Sequence, residues 1–251
     1  VLYFIIDISL VFYRSYQERL EQMQLIREEN ERTKKAYEIK THFLSTVSHE
    51  LRTPLTSIKA SLDLLKTGVL GEVPDTLKPA LTIAAKNSQR LANLIDDLLD
   101  LQKIEAGEMV FHFEALNVGD LVKEAIESTK SYGEQLGIHV TMVVPTEEVQ
   151  IQGDQSRLIQ VMNNLLSNAL KFSHEGGTVQ VRVEPRGERV RICVQDDGVG
   201  IPENSHDKVF GKFSQVDSSD IRKVGGTGLG MNITRQIVER HDGRVDYESE
   251  L

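Results

Sequence analysis

The chain is predicted to be multidomain, α in its first part and α+β in its second. Apolar residues step alternately by three and four from Leu44 to Val69, and again from Leu77 to Leu98, which is the period of helices with one buried stripe. Beyond Gly107 the period changes to two: Val179, Val181 and Val183 alternate with polar residues, as do Val190, Ile192 and Val194. Segments of helical period flank these strands, so helices are expected on one face of a mixed sheet. With 251 residues the chain has room for one large or two modest cores.

Residues 1–15 open with an apolar run too short to span a bilayer and interrupted by Asp7. The run around Ile6-Asp7-Ile8-Ser9 is similar to the closing strand of a PAS-like sensor domain; a truncated membrane helix is the competing reading. Residues 16–38 are charged and lack proline and glycine, so they are expected to form a connector helix. Leu20, Met23, Asn30 and Tyr37 keep heptad spacing there, but Arg27 and Lys34 interrupt the seam, leaving a solvated connector and a dimer stalk both open.

Residues 39–107 should form a helical hairpin. Its turn lies between Thr67 and Asp75, where Gly68, Gly71 and Pro74 let the chain reverse. Leu64, Leu94 and Leu99 widen the apolar face beyond what two helices can bury, and a homodimeric four-helix bundle would cover it.

In residues 108–251, Val110, Phe111 and Phe113 are expected to begin a strand region, and Asn117 to cap a helix running to about Tyr132. A strand at 139–144 and a helix at 154–172 follow. The two alternating runs then form a hairpin around the turn Pro185-Arg186-Gly187-Glu188. A loop-rich stretch over 201–226, a helix to His241 and a final strand after Gly243 complete the reading. The formal charge of −9 excludes general nucleic-acid binding, which needs a basic excess to neutralise phosphates. Cys193 is the single cysteine, so no internal disulfide can form and a reducing compartment fits.

Four motifs carry chemistry. In the first, Ser48-His49-Glu50-Leu51-Arg52-Thr53-Pro54, the helical stripe passes through Ser48 and Leu51, so His49 points about 100° away from Ser48 and toward solvent. A neutral imidazole there is a nucleophile, and Glu50 is the adjacent candidate base. Pro54 removes a helical hydrogen bond and should kink the helix beside them. The second is Asn163 to Phe172, where Asn164, Asn168 and Lys171 share one helix face. Their amide oxygens suit a hard Mg²⁺ ion that also touches phosphates, and the lysine adds positive charge.

The third motif is Asp196-Asp197-Gly198-Val199-Gly200 at a strand end, where a carboxylate can accept from the exocyclic amine of adenine. The fourth is Gly225-Gly226-Thr227-Gly228-Leu229-Gly230, opening a helix whose free N–H groups and dipole favour phosphate.

The string from Phe43 to Leu55 closely resembles the phosphoacceptor box of sensor histidine kinases. The second motif resembles the N box of the GHKL superfamily, and Val209-Phe210-Gly211-Lys212-Phe213 resembles the F box. The motifs follow the family's order, and the resemblance covers about Ala36 to Leu251. It implies a dimeric four-helix bundle followed by an α/β-sandwich (GHKL/Bergerat) domain that binds ATP and Mg²⁺, with Asn164 and Asn168 at the metal. It implies autophosphorylation of His49, then transfer to the receiver domain of a response regulator. Glu50 and Thr53 match positions used in dephosphorylating that regulator. Asp196 matches the base contact, Phe210 and Phe213 the lid anchors, and Arg222 and Lys223 lie on the lid.

The resemblance also implies a cytoplasmic kinase portion, with any attachment to an inner membrane made by upstream segments. Three departures stand out. Asn164 replaces the glutamate of the superfamily's ATPases, which favours phosphotransfer over hydrolysis. Gln215 stands where many relatives have arginine. The family's domain continues for one more strand past Leu251, so an unpaired sheet edge is expected. A silent nucleotide-binding scaffold and a GHKL ATPase are the alternatives.

Overall fold

The computed structural model describes residues 2–69, 71–203, 205–214 and 226–250, which divide into two units, Val1–Ser88 and Gln89–Leu251. In the first, no proline or glycine occurs before Pro54, and one helix, α1 (Leu2–Lys66), runs through the opening segment, the connector and the first arm of the hairpin. Ile6 to Ser9, expected as a strand, are therefore helical: nothing in that stretch breaks the helix, and no strand neighbours it in sequence. Pro54 is accommodated inside α1. Around it the hydroxyls of Thr53, Thr56 and Ser57 donate to the carbonyls of His49, Arg52 and Thr53, at 3.3, 2.9 and 3.3 Å.

The turn closes through Gly71 N–H to the Gly68 carbonyl and Leu77 N–H to the Pro74 carbonyl. Then α2 (Lys78–Glu105) begins. The two units divide within α2, between Ser88 and Gln89. The reason is apolar: Leu101 and Ile104 of α2 lie in one buried cluster with Val161, Leu229, Ile233 and Ile237 of the second unit.

In the second unit, β1 (Glu114–Asn117) pairs antiparallel with β3 (Gln150–Gly153). The ladder starts four residues later than Val110, because Phe111 and Phe113 instead pack against the His241 ring, with centroids 5.6 and 4.9 Å away. The helix α3 (Val118–Leu136) is capped as expected, Asn117 Oδ1 accepting from the N–H groups of Gly119 and Asp120 at 2.8 and 3.3 Å. A three-stranded sheet has the order β2 (His139–Val143), β4 (Thr178–Arg186), β5 (Arg189–Gln195). The first pair is parallel and the second is the expected antiparallel hairpin, closing at Arg186 opposite Arg189.

The alternating Val179, Val181 and Val183 face Val118, Val122 and Ala125 of α3 and Met162, Leu166 and Leu170 of α4 (Gln155–Phe172) in one core. That burial fixes which face of α4 is left for chemistry. Asp154 starts α4 and is almost fully buried. Its Oδ1 accepts from Arg157 N–H at 3.0 Å and Ser156 Oγ–H at 2.7 Å; Oδ2 accepts from His112 N–H at 2.8 Å. The short α5 (His206–Val209) and α6 (Gly230–Arg240) follow.

No strand forms among the described residues after Gly243. Val245 and Tyr247 are half-buried in strand-like alternation, but a side chain makes the tie there, Ser249 Oγ accepting from Ile201 N–H at 2.8 Å. Without backbone pairs no ladder closes.

Candidate active site

His49 and Glu50 stand exposed on α1 while the neighbouring Ser48 is buried, which is the orientation the helical stripe requires. Thr53 is exposed one turn further on, bonded back to the His49 carbonyl. An accessible imidazole, a carboxylate and a hydroxyl thus share the surface of this turn.

The second cluster is built on α4. Asn164 is held at the start of α6: its Nδ2 donates to the Gly230 carbonyl at 3.3 Å and to Thr234 Oγ1 at 3.4 Å. Both bonds use the amide nitrogen, which leaves Oδ1 as an acceptor for a cation. One turn on, Asn168 is half-buried. A further turn brings Lys171, whose ammonium lies 4.6 Å from the Phe172 ring centre. Burial lowers the Lys171 pKa, and the like charge of Arg90 on α2 lowers it further. Two cations held together at such a cost suit an anion. The donor set of two amide oxygens and a lysine fits Mg²⁺ bridged to phosphate, a hard ion that keeps most of its waters.

The far end of α4 is clamped by the third motif. Ser173 and Gly198 form a β-bridge, and Val199 N–H donates to the Phe172 carbonyl at 3.3 Å. A Cβ on Gly198 would lie 2.4 Å from that carbonyl oxygen, so only glycine fits there. Asp196 Oδ1 accepts from Gly198 N–H at 3.0 Å, which orients the carboxylate and leaves its second oxygen for a ligand amine. The side chain reaches solvent, yet neighbouring protein atoms strip enough hydration to raise its pKa; the Gly198 bond opposes that, and Asp197 adds to it.

The glycine loop meets the middle of α4. Gly230 packs on the Asn164 amide, and Gly228 adopts φ 70° where a Cβ would lie 2.9 Å from the Ser214 carbonyl oxygen. Leu229 is fully buried and fixes the loop to the core. Thr227 Oγ1 accepts from Leu229 N–H at 3.2 Å and donates to Asp97 of α2 at 2.8 Å. Gly226 and Gly200 flank the same motifs. So Asn164, Asn168 and Lys171 lie on α4, Gly198 and its partner Asp196 meet its C-terminal end, and Gly230, following Thr227, Gly228 and Leu229, meets Asn164; Arg222, Lys223 and Gln215 lie outside the described residues.

The expected pair of lid anchors is divided. Phe210 is 1% exposed, but Phe213 takes a left-handed backbone, φ 54°, that turns its ring outward to 63% exposure. What holds Phe210 in place was not legible in the motif: buried Asn232 donates Nδ2–H to the Phe210 carbonyl at 2.8 Å, and Gln236 donates to Asn232 Oδ1 at 2.8 Å. Arg90 and Asp97 were also missed. Their signal was a shared helix face seven residues apart, but no local pattern ties them to loops so distant in sequence.

The chain thus pairs a solvent-facing histidine on a helical hairpin with a glycine-rich loop that opens a helix on an α+β scaffold. Residues 39–107 match the family model of the His Kinase A (phospho-acceptor) domain. Residues 153–251 match that of the histidine kinase-, DNA gyrase B-, and HSP90-like ATPase.

The chain is 36% identical to the sensor histidine kinase WalK of Bacillus subtilis (strain 168) over 82% of its own length and 34% of that protein's. It is 33% identical to the signal transduction histidine-protein kinase BarA of Escherichia coli (strain K12), over 93% of its own length and 26% of BarA's. Full-length ShkA, solved in complex with AMPPNP, superposes with a TM-score of 0.63 at 26% identity, covering 78% of this chain and 40% of ShkA. The histidine kinase ThkA, solved in complex with the response regulator protein TrrA, gives a TM-score of 0.55 at 27% identity, covering 79% of this chain and 54% of that one. This chain belongs to the sensor histidine kinases. It spans about a third or less of the length of the curated relatives named here.

Proposed function

We propose that this chain is the phosphoacceptor and kinase portion of a two-component sensor. ATP bound along α4 supplies an activated phosphoryl group. A ring nitrogen of His49 forms the new P–N bond as the bond from the γ-phosphorus to the β-phosphate oxygen breaks, and Glu50 takes the imidazole proton. Little covalent work falls to the protein, so positioning and charge neutralisation carry the reaction. Asn164 and Asn168 would hold Mg²⁺, which would neutralise phosphate charge there, while Lys171 would face the phosphates and Asp196 would read adenine. The phosphoryl group then passes to an aspartate of a receiver domain, and Glu50 and Thr53 serve its later hydrolysis from that partner.

The observation that carries this reading is the exposed His49–Glu50 pair in a chain whose glycine loop also packs on the Asn164 amide. Dimerisation has separate support. Along the hairpin stripe Ser48 and Leu55 are buried, yet Leu51 and Ile58 of the same stripe are 48% and 52% exposed. A second copy would cover them as a four-helix bundle does. No helix among the described residues is long and apolar enough to cross a membrane. We place this portion in the cytoplasm, where ATP and receiver domains meet.

The test is incubation with Mg²⁺ and γ-labelled ATP, beside His49→Gln. Acid-labile, alkali-stable label that disappears in the variant is expected. Label that persists in His49→Gln would place the acceptor elsewhere. ATP binding with no label in the unaltered chain would favour the scaffold.

A further inference from the structure

Thr227 is the one hydroxyl-bearing residue of the glycine loop, and its single proton is committed. Its oxygen already accepts from Leu229 N–H, and the hydroxyl donates to Asp97 Oδ2 at 2.8 Å. In this arrangement it has no proton to offer a phosphate oxygen. A carboxylate oxygen sits instead where an anionic acceptor would sit.

The surroundings of Asp97 do not look like a satisfied structural ion pair. Asp100, one turn along α2, is compensated by Arg157 at 3.2 Å and by Gln160 Nε2 at 2.7 Å. Asp97 has Asp96 and Asp100 as charged neighbours, and burial followed by their repulsion raises its pKa against the opposing Thr227 bond. The charge is therefore kept beside the loop at a cost. It is also held there firmly. Leu101, one turn beyond, is buried with Leu229 and Ile233, so the same helix that presents Asp97 packs on the loop's own anchor residue. Two turns in the other direction, Arg90 acts on Lys171. One face of α2 thus turns an attracting charge and a repelling charge toward the phosphate region.

We propose that Asp97 is an internal competitor for the phosphate tail of ATP: its carboxylate occupies the Thr227 hydroxyl, and a triphosphate must displace it to use the loop. The inference rests on the nucleotide reading of this site. It also links α2 to nucleotide affinity, because a ligand that displaces Asp97 loosens α2 from the loop and whatever loosens α2 favours the ligand. A role in holding the loop ready for ATP predicts the opposite sign, so one substitution separates them.

The experiment is calorimetric titration of the whole chain with Mg-ATP and with Mg-ADP, using Asp97→Asn and Asp97→Ala. Asp97→Asn keeps the shape and removes the charge. With one charge removed a few ångströms from the phosphates, ATP should bind about tenfold tighter, and ADP should gain less because it brings less charge. Asp96→Asn removes an equal charge one residue away from the contact and should change ATP affinity by less than about twofold at that exposed position. Equal or weaker ATP binding by both Asp97 variants, with the unaltered chain binding ATP, overturns the competitor role and leaves the nucleotide reading standing. Failure of the unaltered chain to bind ATP overturns the nucleotide reading, and this inference with it.

Discussion

Asp154 offers the sharpest test of how the fold places the site. Its carboxylate caps α4 through Arg157 N–H and ties His112, 42 residues earlier, to the start of that helix. Asp154→Ala removes the cap, about 1 kcal/mol in helices generally. It also leaves the His112 N–H without its charged acceptor, for which about 1.5–3 kcal/mol is typical. The sum is about 3 kcal/mol, a large share of the stability of an ordinary domain. Asp154→Ser can restore the cap but is too short to reach His112, so it should recover only about 1 kcal/mol.

Acid provides an independent check. Burial alone would raise the Asp154 pKa, but the bonds from His112, Ser156 and Arg157 outweigh it and hold the group below its ordinary 3.8. A depressed folded value means that the contribution is complete above the unfolded value and fades as pH falls through the folded one. The gap between the unaltered chain and Asp154→Ala should thus be full at neutral pH and shrink only below 3.8. Urea unfolding followed by circular dichroism, at neutral pH and again near pH 3, reads both effects. An Ala variant within about 1 kcal/mol of the unaltered chain, or a Ser variant no better than Ala, would refute the reasoning.

Two further substitutions probe the loops that α4 supports. Gly198→Ala forces a methyl against the Phe172 carbonyl oxygen, a backbone atom that cannot swing aside; overpacking of this kind costs about 1–3 kcal/mol, so a lower melting temperature and weaker ATP binding are expected, and an unchanged pair of values would contradict the clash. Asn232→Ala deprives the Phe210 carbonyl of its donor, with an expected loss of about 1–3 kcal/mol in urea unfolding; a neutral result would mean that Phe210 is held by packing alone.

Much of this was readable in the sequence because the governing interactions are local. The β4–β5 hairpin follows from two alternating runs around one turn, the α3 cap from a single asparagine, and the His49 orientation from its place beside a buried stripe. What escaped was non-local or short. The strand β3 is Gln150-Ile151-Gln152-Gly153, four residues with one apolar side chain, and it exists only because β1 lies beside it. Helix and strand were indistinguishable for the short apolar run at Ile6–Ser9, and the absence of any breaker as far as Pro54 decided for helix. The motif strings point to residues on α4 and the two glycine-bearing loops, but not to Asn232, Arg90 or Asp97, which reach those elements through contacts across 22 to 130 residues of chain or through a neighbouring charge.

The titratable groups divide by the sign of their shifts, and that division bears on function. Asp154, whose work is structural, is shifted toward its charged form by the donors around it. Asp196, Lys171 and Asp97, placed on three different elements, are all shifted toward their neutral forms by burial. Charges kept in a fold against their own hydration are under-compensated within it, and such groups concentrate where a ligand completes the charge balance. An adenine amine would satisfy Asp196 and a phosphate would satisfy Lys171 together with Arg90. Asp97 has the wrong sign for that ligand. A phosphate relieves it only by driving it out, so the same arrival that satisfies two groups expels the third. Nucleotide affinity and the attachment of α2 to the glycine loop are then one equilibrium, set by the balance of these charges.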